Sequence, residues 1–172
     1  MDEAATSLLA ARLTEAGTVL LGRSLAVRHV DAGSCGGCEI SLAGARVLRD
    51  GLTHHGVVLV DDPRAADVLL ITGVATHALA EAVQRTLAAM APPRFVVAVG
   101  DCAVDGGVFK GAPTVLGGAE QVVAVDLLIA GCPPSPRRII AGLVALLEAN
   151  TAPARPRQPR RPKGQKRIEP RA

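Results

Sequence analysis

Aromatic residues are almost missing from this chain of 172 residues: it has Phe95 and Phe109, no Trp and no Tyr. Single-stranded nucleic acids are usually gripped by aromatic stacking platforms, so that function class loses its basis. Long apolar runs are missing too. None approaches the ~18–20 residues that a membrane-crossing helix needs. The first stretch, MDEAATSLLAARLTEAG, carries acids where a secretory signal needs positive charge. This predicts a cytoplasmic chain with reduced cysteines, which favours metal ligands or redox thiols over structural disulfides. No G-x-x-x-x-G-K-[ST] occurs, so nucleotide binding has no support.

What is present is a Val, Leu, Ile and Ala core, with apolar residues at 49% of the chain. The net charge of +3 hides two regions. Residues 155–172 hold eight Lys/Arg and one Glu, and the rest of the chain is net negative. Reading the whole protein as a nucleic-acid binder would mistake a tail for a surface. Three regions are predicted: an N-terminal helix and linker over 1–23, one domain over 24–150, and a disordered Pro/Arg-rich tail over 151–172.

Hydrophobic spacing predicts a helix over 4–16, on Ala5, Leu8, Leu9, Leu13 and Ala16, with Gly17 as its stop. Strands are expected at Leu25–Val30, Gly56–Val60, Asp67–Ile71, Arg94–Val99 and Leu127–Ala130. Helices are expected over Glu39–Leu48, from Thr76 to Met90, and from Pro136 with Ile139, Ile140, Leu143, Val144 and Leu147 inward. Pro is well tolerated at a helix start. A Gly-rich loop should fill Gly100–Gly118. Continuous apolar strands alternating with amphipathic helices argue for an α/β fold, a parallel sheet covered on both faces.

Four cysteines occur: Cys35, Cys38, Cys102 and Cys132. The last two follow predicted strands directly, and the first pair, "SCGGC", follows the first strand. Ligand sites in open α/β sheets form at the carboxyl edge, so all four can converge there. A C-x-x-C alone is weak. A zinc site usually takes two close cysteine pairs, and here there is one. A redox dithiol explains Cys35 and Cys38 and leaves the other two unused. Four thiolates flanked by glycines, with backbone N–H groups free to approach sulfur, suit a 4Fe–4S cluster.

The stretches "DAGSCGGCE", "DDPRAADVLLITG", "PPRFVVAVGDCAVDGGVF" and "DLLIAGCPPSP" resemble, in order and spacing, the small subunit of nickel–iron hydrogenases. The energy-converting type is the best likeness, together with the homologous subunit of NADH-quinone oxidoreductase (complex I). The resemblance spans roughly residues 24–149. It implies a flavodoxin-like fold, a 4Fe–4S cluster on Cys35, Cys38, Cys102 and Cys132, and a hydrogenase-like large subunit beside it. The quinone-reducing complex has adjacent cysteines at the first motif, and the C-G-G-C here leans toward hydrogenases. With one cluster, electrons must leave to a ferredoxin-like partner subunit. The chain is then an oxidoreductase subunit that catalyses nothing alone. Alternatives kept open are the homologous component of an NADH-quinone oxidoreductase complex and a structural zinc-binding interaction module.

Glu39 reads first as an acid that complements a helix dipole, and is also a candidate proton relay. Asp31 and Asp101 read as loop and turn formers, the latter also as a negative charge beside the cluster. His29, His54, His55 and His77 show no ligand spacing. His77 falls near the predicted cluster edge, and His54–His55 in a surface loop. Gly106–Gly107 reads as close backbone packing near the cluster. The basic tail is a solvated arm or a contact to anionic lipid or membrane-arm subunits, which would place the complex peripherally on the cytoplasmic face of a membrane.

Overall fold

The computed structural model describes residues 3–47, 52 and 56–151. Strand β3 (Val68–Thr72) is buried along its whole length, and β5 (Phe95–Val99) nearly so. Their uninterrupted apolar sequences leave no polar face for water, so both must lie inside a covered sheet. They are the middle of a five-stranded parallel sheet with β1 (Leu25–Asp31), β2 (Val57–Leu59) and β7 (Leu127–Ile129), in the order β2-β1-β3-β5-β7. Counting only these strands, that is the 2-1-3-4-5 order of flavodoxin-like folds.

Successive side chains alternate between the two faces. Val68, Leu70, Val97 and Val99 join Leu13, Leu42, Ile139, Ile140 and Leu143 in one core. Leu69, Ile71, Val96 and Ala98 join Val83 and Ala103 in the other. Helices α1 (Glu3–Leu21), α2 (Gly37–Val47) and α5 (Pro136–Thr151) therefore cover the first face, and α3 (His77–Ala89) and α4 (Asp101–Asp105) the second. In α5, Ile139, Ile140, Leu143, Val144 and Leu147 are all buried, as their spacing predicts. Each such side chain contributes about 1.5–3 kcal/mol by leaving water. Thr76 caps α3, its Oγ1 accepting from the Leu79 N–H at 3.3 Å, and the helix ends before Pro92–Pro93. Helix α2 begins at Gly37, and Leu48, its expected last residue, lies outside the described residues, as do His54 and His55.

Two expectations are corrected. Helix α1 does not stop at Gly17. It runs to Leu21 and ends at Gly22, whose φ is +66° and whose N–H bonds Thr18 O at 2.9 Å. A glycine inside a helix costs only ~1 kcal/mol. At Gly17 a Cβ would lie 3.8 Å from Leu147 Cδ1, so the helix continues against α5. The segment from Gly100 to Gly118 is not a loop. It contains α4, a single 3₁₀ turn at Gly107–Phe109, and β6 (Val115–Gly117), which pairs antiparallel with β4 (Ala75–Thr76). Strands of two and three residues are too short to show a period.

The register positions the site. Asp31 pairs with Thr72 and Thr72 with Val99, while Val99 pairs with Ile129. Four strands thus end in one row. Helix α5 then returns along the sheet: Gly142 lies against Ile129, and Leu147 reaches Gly17 near Arg23 at the amino edge.

Candidate metal centre

The cysteines sit just beyond this row of strand ends. Cys35 and Cys38 belong to the loop after Asp31 and the first turn of α2, Cys102 to α4 after Val99, and Cys132 to the loop after Ile129. None is in a disulfide. Cys38 and Cys102 are half-buried; Cys35 and Cys132 are exposed. Burial pushes the Cys38 thiol up from 9.0 to about 11, with Glu39 and then Cys102, Cys35 and Cys132 adding to the rise. Burial also raises Cys102, followed by Cys132, Cys35 and Asp101. Sulfurs that act on one another this way share one electrostatic neighbourhood.

The backbone makes room for them. A Cβ on Gly100 would stand under 3.0 Å from Cys38 Sγ and 3.6 Å from Gly131 O, and one on Gly107 would stand 3.1 Å from Cys102 Sγ. Gly100 has φ +92° and ψ 153°, a region that is essentially glycine's alone. Gly37, between the first two cysteines, faces Cys35 Sγ and Pro133. An open recess of about 480 Å3 lies between Cys102 and Cys132, with Asp101, Val104, Asp105, Gly107 and Val108 completing its wall.

Acids fix the loops. Asp31 Oδ1 accepts from the Gly33 and Ser34 N–H groups at 2.8 and 2.7 Å, which shapes the turn leading into Cys35. Asp101 does more than form a turn. Its Oδ1 accepts from Gly131 N–H at 2.6 Å, and its own N–H donates to Gly131 O at 2.9 Å. This pair of hydrogen bonds ties the Cys102 segment to the Cys132 segment.

A network not visible in the sequence runs behind Cys38. The Thr72 hydroxyl donates to Glu39 Oε1, and Thr72 Oγ1 meets His29 Nε2 at 2.8 Å. The hydroxyl has one hydrogen and spends it on Glu39, so His29 Nε2 is the donor toward Thr72. His29 is lowered from its ordinary value by burial, against the opposing effect of Glu39. Glu39 Oε2 is buried without a hydrogen-bond partner. Only Thr72's place at the end of a buried strand could have hinted at this contact. His77 opens α3, exposed, and its side chain makes no hydrogen bond or ion pair among the described residues.

Among the described residues, no group of three or more His, Cys, Asp or Glu side chains is gathered so that it could hold a metal ion. Four free thiols among glycines are a donor set that would fit an iron–sulfur centre. Cys35, Cys38 and Cys102 each have a glycine whose added Cβ would meet the sulfur, and the donors are soft sulfur throughout.

Comparisons with known proteins identify the family and the fold. The family described as NADH ubiquinone oxidoreductase, 20 Kd subunit, matches residues 35–146. A probable membrane-bound hydrogenase subunit mbhJ of Pyrococcus furiosus is 39% identical over 128 residues, covering 74% of this chain and 77% of that protein. An NADH-quinone oxidoreductase subunit of Phocaeicola vulgatus is 39% identical over 116 residues, covering 67% of this chain and 58% of that one. Among solved structures, a chain of the membrane-bound sulfane sulfur reductase, an archaeal respiratory membrane complex, superposes with a TM-score of 0.65 at 29% identity over 79% of this chain and 73% of that chain.

Proposed function

The chain belongs to the family of the 20 Kd subunit of NADH ubiquinone oxidoreductase, and on that premise we propose that it is the electron-transfer small subunit of a hydrogenase-type complex, holding one 4Fe–4S cluster on Cys35, Cys38, Cys102 and Cys132. The convergence of all four cysteines on one row of strand ends carries the reading. Such a cluster, when bound, accepts and returns one electron at a time. The chain's own residues supply the cradle. Gly100 and Gly107 let backbone approach sulfur, Asp101 ties two ligand loops together, and Pro133 removes one N–H from the turn beside Cys132. Glu39, next to Cys38 and hydrogen-bonded by Thr72, supplies a carboxylate beside the cluster loop.

The partner side of the site is apolar and open. Ile40 is 75% exposed and Val108 84%, with Phe109 also exposed. Val108 lines the recess beside Cys102 and Cys132, and Ile40 lies two residues after Cys38, exposed apolar groups of the kind that mark a docking face for a large subunit. The four cysteines hold one cluster, and electrons would pass on through a ferredoxin-like subunit. The C-G-G-C spacing supports a hydrogenase-like large subunit over a quinone-reducing one. No helix among the described residues is long and apolar enough to cross a membrane. Membrane association would then be peripheral, through partners. The basic tail, beyond the described residues, adds an attraction to acidic subunits or anionic lipid.

Anaerobic purification tests the proposal. The expected product is brown, with about four irons and four labile sulfides per chain, and Cys102→Ser loses them. Colourless protein with one zinc would overturn the reading in favour of a zinc module.

A further inference from the structure

The His29–Thr72–Glu39 network has no part in holding the cysteines, yet it ends on a carboxylate adjoining one of them. Thr72 is fully buried at the end of β3, level with Asp31 and Val99 in the row that carries the site. His29 and Glu39 side chains are each 26% exposed, with Nε2 and Oε1 3.8 Å apart. The donors run one way, from His29 Nε2–H to the Thr72 hydroxyl and from that hydroxyl to Glu39 Oε1. Two hydrogen bonds in series therefore fix one carboxylate oxygen. Flexible carboxylates at a surface average their field over many rotamers; this one is held.

We propose that Thr72, supported by His29, is a positioning residue that locks the Glu39 carboxylate beside Cys38 and thereby lowers the reduction potential of the cluster. The inference rests on the function proposed above. A negative charge held on the residue that adjoins the ligand Cys38 disfavours an added electron on the cluster. No proton needs to move. Thr72 acts only through Glu39, so the two effects are not additive. The Thr72 hydroxyl donates to Glu39 Oε1 only; Oε2 is buried with no hydrogen-bond partner among the described residues.

An EPR-monitored redox titration of the anaerobically purified complex tests this, with iron content measured in parallel. Glu39→Gln should favour the reduced state about tenfold, which is about 59 mV for a one-electron couple. Thr72→Val should move the potential the same way by a smaller factor, Thr72→Ser should restore the wild-type value, and Thr72→Val should add nothing in the Glu39→Gln background. A wild-type complex without a cluster signal would overturn the function and this inference together. A full cluster whose potential ignores Thr72→Val would overturn the inference alone, as would a Thr72→Val shift that persists in Glu39→Gln. If Thr72→Val does not fold, a Thr72→Ser potential equal to wild type beside a shifted Thr72→Ala upholds the hydroxyl's role, and equal potentials in both refute it.

Discussion

Gly100→Ala isolates the packing of backbone against sulfur. Gly100 has φ +92° and ψ 153°, and a side chain there costs about 1–3 kcal/mol in backbone strain. The new Cβ would also fall under 3.0 Å from Cys38 Sγ. Carbon and sulfur in contact rest nearer ~3.5–4 Å, so the thiol must retreat by roughly 1 Å or more. Overpacking of that kind adds about 1–3 kcal/mol. The sum, about 2–6 kcal/mol, is a large share of the 5–15 kcal/mol that holds a typical domain together. The displacement also exceeds the ~0.5 Å within which a functional constellation must be held. Gly22→Ala is the control. Its φ is +66°, and nothing lies within 4 Å of the added Cβ. It should therefore cost only the left-handed strain of ~1–2 kcal/mol. Iron per chain and thermal midpoint are the measurements. Gly100→Ala should lose most of its iron and lower the midpoint at least twice as far as Gly22→Ala, which should keep its iron. Full iron in Gly100→Ala, with a midpoint loss no greater than the control's, would refute the argument.

Asp67 is buried and accepts from Arg23 at 2.7 and 2.9 Å and from the Ala26 N–H at 2.9 Å. Asp67→Ala should cost about 2–3 kcal/mol in urea denaturation, below the figure for a fully buried pair because Arg23 stays half in water; a loss under 1 kcal/mol would contradict this. Asp101→Ala leaves the Gly131 N–H without its acceptor, so iron loss on dilution should speed up while secondary structure by circular dichroism is kept. In cluster-free protein, the Cys38 thiol holds its proton to about pH 11 while the unfolded chain releases it near 9.0. The unfolded state then binds fewer protons across that window, so stability present below pH 9 falls as pH rises toward 11. Denaturation midpoints should show this slope and Cys38→Ser should flatten it; equal slopes would count against the assignment.

Much of the sheet was legible in its residues. FVVAV and DVLLI have no polar face to offer, so they read as covered strands, and the apolar spacing from Ile139 to Leu147 gave α5 its inward side. That the cysteines lie beyond the carboxyl ends of the strands was legible too, because strand ends in a parallel sheet share one edge. What escaped the sequence depends on contacts far apart in the chain. Gly17 reads as a stop locally, and only Leu147 on a distant helix explains why α1 passes it. Strands β4 and β6 exist because they pair with each other, not because two or three residues favour extension. Asp101 reads as a turn former, since nothing local tells of Gly131. Glu39 draws attention by following Cys38, but Thr72, a polar residue within a buried strand, carries no signal of the partner it meets.

The path of α5 has a practical consequence. It starts four residues after Cys132 and carries the chain back to the amino edge, where Thr151 is the last described residue. The described chain thus ends at the amino edge, opposite the edge that carries the cysteines. A tether attached beyond Thr151 to an electrode or bead would orient every copy alike, with the cysteine edge turned outward to meet soluble donors.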